Sequence, residues 1–182
     1  KKATATISSF QGINRESPLH IHLGIGLSRG DRMDWVVQKA TEAGITEITP
    51  LYTERTEVKL KGERADKKMR HWQQISISAS EQCCRNILPT IHSLRSSEEW
   101  LGAIRADKKL VLHYRSNQSI NSLGQQDVKS CALLVGPEGG LTAGEIQRAE
   151  ASLFVPLTLG PRVLRTETAP IIAIGILQSL WG

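Results

Sequence analysis

Short apolar runs alternate with helically spaced apolar stripes along nearly the whole chain, and this order constrains the fold more than any other feature. Residues 21–27 are strand-like. Asp31 precedes a stripe of Met33, Val36, Val37 and Ala40 that makes one helix face apolar, and Gly44 fits its stop. Residues 45–52 read as a strand ending near Pro50. Met69, Trp72, Ile75, Ala79 and Cys83 mark a long helix over residues 65–84, and residues 89–94 a short strand. Ser96 and Glu99 have the spacing of a capping box, opening a helix whose buried stripe is Trp100, Leu101 and Ile104. Residues 109–114 and 131–135 are two further strands, with the polar residues 116–129 between them mostly loop. A helix from Thr142, a strand at 154–159 and a helix to Leu180 complete the series.

Parallel strands need long crossovers, usually helices. The order therefore predicts an α/β fold, a mostly parallel sheet with helices on both faces. Ligands of such sheets bind beyond the carboxyl ends of the strands, which directs attention to the loops after Tyr114, Val135 and Leu159. Residues 1–18 do not fit the alternation. Residues 3–7 alternate weakly like a strand and the rest are polar, so 1–18 read as the tail of an absent domain plus a linker, and 19–182 as one domain.

Lys and Arg number 23 against 18 Asp and Glu, giving a net charge of +5. That excess suits a polyanionic partner. Lys59, Lys61, Arg64, Lys67, Lys68, Arg70 and His71 fall in one stretch, diluted by Glu57, Glu63 and Asp66. It is either an RNA-contacting surface or a solvated helix face. No apolar run reaches the roughly 18 residues of a membrane span, and residues 170–180 are broken by Gly175 and Gln178. No secretory pattern opens the chain; a cytoplasmic protein is expected from its cysteine usage. The three cysteines, Cys83, Cys84 and Cys131, have no metal-binding spacing and read as small buried residues in a reducing compartment. His20 and His22 would share one strand face, but no carboxylate or third ligand stands near them in sequence, and no metal is expected.

The segment Leu133-Leu-Val-Gly-Pro-Glu-Gly-Gly-Leu-Thr-Ala-Gly-Glu145 runs from a buried strand through a glycine-rich turn into a helix that Thr142 can cap and Glu145 can close. Gly136, Gly139 and Gly140 let the backbone turn sharply and approach a ligand. A P-loop would require Lys-Ser/Thr where Leu141-Thr142 stands, and the dinucleotide fingerprint Gly-x-Gly-x-x-Gly is absent. A tight turn without a ligand is the competing reading. In Leu159-Gly-Pro-Arg-Val-Leu-Arg-Thr-Glu-Thr-Ala169 a strand again ends in Gly-Pro. Arg162 and Arg165 lie too close to a positive helix end for dipole complementarity. They face an anion or a carboxylate such as Glu167, or form an exposed turn with a surface ion pair.

Together, residues 135–140 and 159–169 resemble the SPOUT superfamily of knotted methyltransferases. Within it the chain resembles the RsmE family, the 16S rRNA (uracil-N3)-methyltransferases. Asp34-Trp-Val-Val-Gln-Lys-Ala-Thr-Glu-Ala-Gly-Ile-Thr-Glu-Ile-Thr-Pro50, then Glu54-Arg55, and Ala79-Ser-Glu-Gln-Cys-Cys-Arg-Asn86 carry the same resemblance. It implies a C-terminal deep trefoil knot, which chain-threading rules alone would exclude. It also implies S-adenosylmethionine as methyl donor, a homodimer, a substrate in the 16S rRNA of the small ribosomal subunit, and an N-terminal PUA-like barrel of which residues 1–10 would be the remnant. By matching positions, Gly136, Glu138, Gly139 and Gly140 would line the donor pocket. Leu159, Gly160, Val163, Leu164 and Ala169 would do so from the second loop, and Leu112 and His113 from an earlier strand end.

N3 of uracil carries a proton and is a poor nucleophile, so a base or anion-stabilising donors are required. On the resemblance, Arg165 and Arg162 would hold the target phosphate or uracil oxygens. Glu167 would be the base, with Glu81 a weaker candidate, and Arg55 and Arg85 would contact RNA beside Glu81. The Asn-x-Gly motif of ribose-methylating relatives is absent, favouring base methylation. Two alternatives remain: a SPOUT methyltransferase acting on another rRNA or tRNA base, and a non-catalytic RNA-binding assembly factor that keeps the fold.

Overall fold

Every pairing in the sheet is parallel. The computed structural model describes residues 2–182; Lys1, at the start of the expected barrel remnant, lies outside the described residues. The strands are β1 (His20–Gly26), β2 (Glu47–Tyr52), β3 (Thr90–Ile91), β4 (Arg95–Ser96), β5 (Lys108–Leu112), β6 (Ser130–Val135) and β7 (Val155–Leu157). The helices are α1 (Arg32–Glu42), α2 (Glu63–Gln82), α3 (Ser97–Ala103), α4 (Ala143–Ala151) and α5 (Thr168–Trp181). The sheet order is β3-β2-β1-β6-β5-β7, with β4 also beside β2.

β1 and β6 read as continuous apolar runs because both their faces are covered. Along β6, Cys131, Leu133 and Val135 point into a core shared with α1, α2 and α5. Ala132 and Leu134 point into the opposite core with Trp100 and Leu101 of α3 and Ile146 and Ala149 of α4. Helices on both faces were expected, and the strand's period of 2 sorts them. Gly24 of β1 permits one close approach: a Cβ there would stand 2.7 Å from the Trp100 ring.

Local signals set the helix ends. Both expected capping boxes form, Ser96 with Glu99 and Thr142 with Glu145. Gly44 has φ +89 and follows α1, with its carbonyl accepting from Gln178 of α5 at 3.1 Å. Asp34 of α1 accepts from the Trp72 indole N–H at 2.8 Å and contacts His71 at 2.7 Å, joining α1 to α2. Burial alone would raise the Asp34 carboxyl, but those hydrogen bonds and the Lys68 charge outweigh it and hold it below its usual range.

Several expectations are corrected. The strand expected at 89–94 is two short pieces, because the edge breaks opposite Thr49 and Pro50: β3 pairs with residues 47–48 and β4 with 51–52, and proline has no N–H for a ladder. β2 itself continues past Pro50 to Tyr52. The weak alternation at 3–7 forms no strand; with no neighbour to pair with, Ile7 and Phe10 stay exposed. The 116–129 loop contains one 3₁₀ turn whose Ile120 is buried, and Ser119 bridges Thr158 beyond β7. Cys131 is buried, which pushes its thiol up to about 12, but Cys84 is exposed rather than buried.

Arg85, expected to touch RNA, faces inward. Its side chain is 7% exposed and pairs with Glu16 at 2.6 Å. It also donates to the carbonyls of Thr41 and Ile45 at 2.9 and 2.8 Å, across the turn from α1 into β2. Removing it strands a largely buried carboxylate and two carbonyls. Arg85→Ala is expected to lower unfolding stability by about 2–4 kcal/mol in urea titration; a loss below about 0.5 kcal/mol, the range of ordinary surface changes, would contradict this role.

Candidate active site

β6, β5 and β7 lie side by side, so the loops at their carboxyl ends open at one place. There they enclose a cleft of about 740 Å³, counted to its open mouth. Leu112, His113 and Tyr114 come from β5 and its continuation. Gly136, Pro137, Glu138, Gly140 and Leu141 follow β6, and Thr158, Leu159, Arg162, Val163, Leu164, Thr166 and Ala169 follow β7. Nine of the eleven residues expected to bind the donor are thus brought together, counting Leu112, His113, Gly136, Glu138, Gly140, Leu159, Val163, Leu164 and Ala169. Tyr114, Val135, Pro137, Leu141, Ile146, Leu157, Thr158 and Thr166 also line the cleft and were not expected. All but Ile146 of α4 stand within a residue or two of an expected one, so the loops were legible and the direction of each side chain was not.

The glycine loop folds onto itself. The Gly140 N–H donates to Pro137 O at 2.8 Å, and Gly140 has φ +70. A Cβ on Gly136 would lie 2.9 Å from the Leu141 backbone nitrogen. Only glycine keeps this turn, so the structure supplies the close backbone cradle that the sequence pattern requires. Gly139 and Gly160 stand outside the lining of the cleft. Gly139 packs against Arg55, whose guanidinium donates to the Gly139 carbonyl at 2.7 Å. Gly160 has φ +104 and makes the turn after β7, its carbonyl accepting from Thr158 Oγ1 at 2.9 Å.

The apolar walls suit a nucleoside and a thioether, and backbone groups at the strand ends suit the edge of a base. The missing Cβ at Gly136 and the size of the cleft both fit S-adenosylmethionine. Glu138 lines this cleft and closes one side of it. Its carboxylate accepts from the Arg29 backbone N–H at 2.8 Å and from Arg32 at 2.5 Å. Burial alone would raise that carboxyl; the bonds from Arg29 and Arg32 and the Arg32 charge prevail and hold it low. Its anionic form is therefore favoured by folding, and any stability it contributes is lost as pH falls through the lowered pKa.

Across the Glu138–Arg32 pair lies a second, wider groove lined by Arg29, Arg32, Trp35 and Glu167. Glu167 stands 3.7 Å from Arg32 and 3.9 Å from Arg165. Trp35 is 42% exposed, whereas Trp72, Trp100 and Trp181 are buried. The sequence reading did not reach Arg29, Arg32 and Trp35. They follow β1, which neighbours β6, so the signal available was the same strand-end rule applied to one more loop.

The remaining expected residues separate. Arg162 lines the cleft, while Arg165 is largely exposed beside Glu167. Glu145 is buried, 2% exposed, and accepts from the backbone N–H of Glu54 and Thr142, so that it ties the Glu54-Arg55 turn to α4. Glu81 is exposed near the end of α2. That helix leads into β3, so Glu81 and Arg85 lie where the strands begin, at the opposite end from the cleft. Glu81 therefore does not face this chain's own cleft. The start of α2, by contrast, follows β2 and lies at the cleft's end, with Lys59, Lys61, Arg64, Lys67 and Arg70 exposed.

Among the described residues, no helix is long and apolar enough to cross a membrane. Residues 15–178 match the model of the RNA methyltransferase domain family. The ribosomal RNA small subunit methyltransferase E of Buchnera aphidicola is 38% identical, over 100% of this chain and 72% of the relative. That of Bacillus subtilis is 33% identical, over 97% of this chain and 72% of the relative. Among solved structures, a Legionella pneumophila methyltransferase in complex with SAM superposes with TM-score 0.89 at 43% identity, covering 93% of this chain and 69% of the other. The small subunit methyltransferase E of Neisseria gonorrhoeae bound to S-adenosyl methionine gives 0.87 at 39% identity, covering 94% and 70%. With its two glycine-bearing loops converging on one cleft, the chain belongs to the RsmE family of ribosomal RNA small subunit methyltransferases.

Proposed function

We propose that this chain methylates N3 of a uridine in the 16S rRNA of the small ribosomal subunit, using S-adenosylmethionine bound in the cleft. The observation that carries the reading is the meeting of the β5, β6 and β7 loops around the Gly136 turn. Support comes from relatives named for small-subunit rRNA methylation and solved with the donor bound. The C-terminal knot, the homodimer, the barrel remnant at the N-terminal end and the cytoplasmic location belong to the same proposal and rest on the family resemblance.

S-adenosylmethionine supplies, when bound, an electrophilic methyl group on a sulfonium. The protein then has to align a nucleophile with that methyl and exclude water. The wide groove adjoins the cleft across Glu138 and Arg32, and in this reading it receives the target uracil. Trp35 offers a stacking face, a contact worth about 1–3 kcal/mol per base. Arg29 and Arg32, with Arg162 and Arg165, supply cations for the uracil oxygens and flanking phosphates. Glu167 would accept the N3 proton, so that N3 can take the methyl as the methyl–sulfur bond breaks and the sulfur leaves as a thioether. The exposed cations from Lys59 to Arg70, and Arg55, extend a basic surface for RNA at the same end.

The direct test supplies the chain with methyl-labelled donor and small subunits lacking the modification, followed by nucleoside analysis. Label is expected as 3-methyluridine in 16S rRNA. Label in another base would instead favour a related enzyme, and donor binding without transfer an assembly factor. Glu167→Gln is expected to lower kcat about 10²–10⁴-fold with KM nearly unchanged; turnover within a few fold of wild type would leave Glu167 only an ion-pair partner of Arg32 and Arg165. Trp35→Ala is expected to raise KM for subunits about tenfold, a stacking-sized loss, with donor affinity unchanged; an unaltered KM would remove Trp35 from the base site.

A further inference from the structure

His20 and His22 lack a carboxylate and a third donor in sequence, and the fold brings both. Parallel pairing sets Glu47 of β2 beside His22 of β1. His92, just past β3, donates its backbone N–H to Ile48 O at 2.8 Å and turns its ring to the same carboxylate. His20 Nε2 stands 3.0 Å from Glu47 Oε1 and His22 Nδ1 3.5 Å from Oε2, while His92 Nε2 contacts Oε2. The His22 and His92 rings stack with centroids 5.1 Å apart. The donor atoms of His22, Glu47 and His92 all lie within 4.8 Å of one another.

We propose that His22, Glu47 and His92, with His20 beside them, form a binding site for a divalent transition-metal ion, with zinc the best match. Imidazole nitrogens and a carboxylate oxygen are usual zinc ligands, and tetrahedral ligands about 2.0–2.2 Å from the ion stand about 3.3 Å from one another. The separation of His22 Nδ1 from Glu47 Oε2, 3.5 Å, is close to that spacing. An outer partner is also present. Thr49 Oγ1 is 2.7 Å from His22 Nε2, closer than the Trp100 indole nitrogen at 3.3 Å. The indole N–H can only donate, so Nε2 accepts from it and the ring proton sits on Nδ1, facing Glu47. An ion has to displace that proton, after which Thr49 Oγ1 can accept from a protonated Nε2. The four side chains border an open cavity of about 650 Å³, counted to its mouth, which gives an ion a way in.

This site lies where the strands begin, at the far end of the sheet from the donor cleft. It would join β1 and β2 to the residue that follows β3, an edge strand of only two residues.

The test strips the chain with chelator, replaces Cys83 and Cys84 with serine so that thiols cannot compete, and titrates zinc in a calorimeter. One equivalent is expected to bind, with a higher thermal midpoint. His92→Ala and Glu47→Gln are each expected to weaken binding at least tenfold and remove the thermal shift, while S-adenosylmethionine affinity stays within twofold in His92→Ala. No bound equivalent and no thermal shift would overturn the proposal and leave a hydrogen-bonded histidine–glutamate cluster. Equal zinc affinity in a folded His92→Ala chain would overturn it as well.

Discussion

The parallel pairing of β1 with β6 is the constraint on which the rest depends. It joins the first strand of the chain to one near its end, in a register running from His20 with Ser130 to Ile25 with Val135. With that register fixed, β5 and β7 fall on one side, β2 and its short edge partners on the other, and helices on both faces. The loops after β1, β5, β6 and β7 must then open at the same end. Close packing at that end is strict: a Cβ on Gly26, the last residue of β1, would lie 2.5 Å from Pro137 in the loop after β6. Core geometry and donor cleft are therefore one problem.

Charge is arranged around that opening so that one carboxylate divides two spaces. Glu138 faces the apolar cleft on one side and is held by Arg29 and Arg32 on the other. Arg32 in turn approaches Glu167 at the start of α5. The loop after β1, the glycine loop and the last helix are thus coupled by ion pairs where a donor and a nucleobase would have to meet. Partial exposure keeps each pair modest in energy; their contribution is orientation.

Local chemistry made much of this legible from sequence. Both capping boxes, the apolar central strands, the stop at Gly44 and the Gly136–Gly140 turn are specified by residues within a few positions of one another. Side-chain partners distant in sequence were not. Arg85 reads as a surface cation until the fold sets it against Glu16, Thr41 and Ile45. Glu81 sits near that arginine in sequence, but helix direction carries it to the wrong end of the sheet. Trp35 lies off the apolar stripe of Met33, Val36, Val37 and Ala40, and the fold shows that its exposed face borders the groove. His22, Glu47 and His92 meet only through the pairing of three strands.

Gly136 offers the sharpest handle on the donor cleft, because a side chain there meets backbone, whereas one at Gly139 meets the movable Arg55 side chain. The decisive measurement is calorimetric titration of the chain with S-adenosylmethionine, repeated on Gly136→Val, with unfolding curves confirming that both are folded. The expected result is donor binding by the wild-type chain and a loss of at least about a hundredfold in the variant, about 2.7 kcal/mol. Absence of binding by the folded wild-type chain, or equal binding by the folded variant, would contradict the assignment of the cleft.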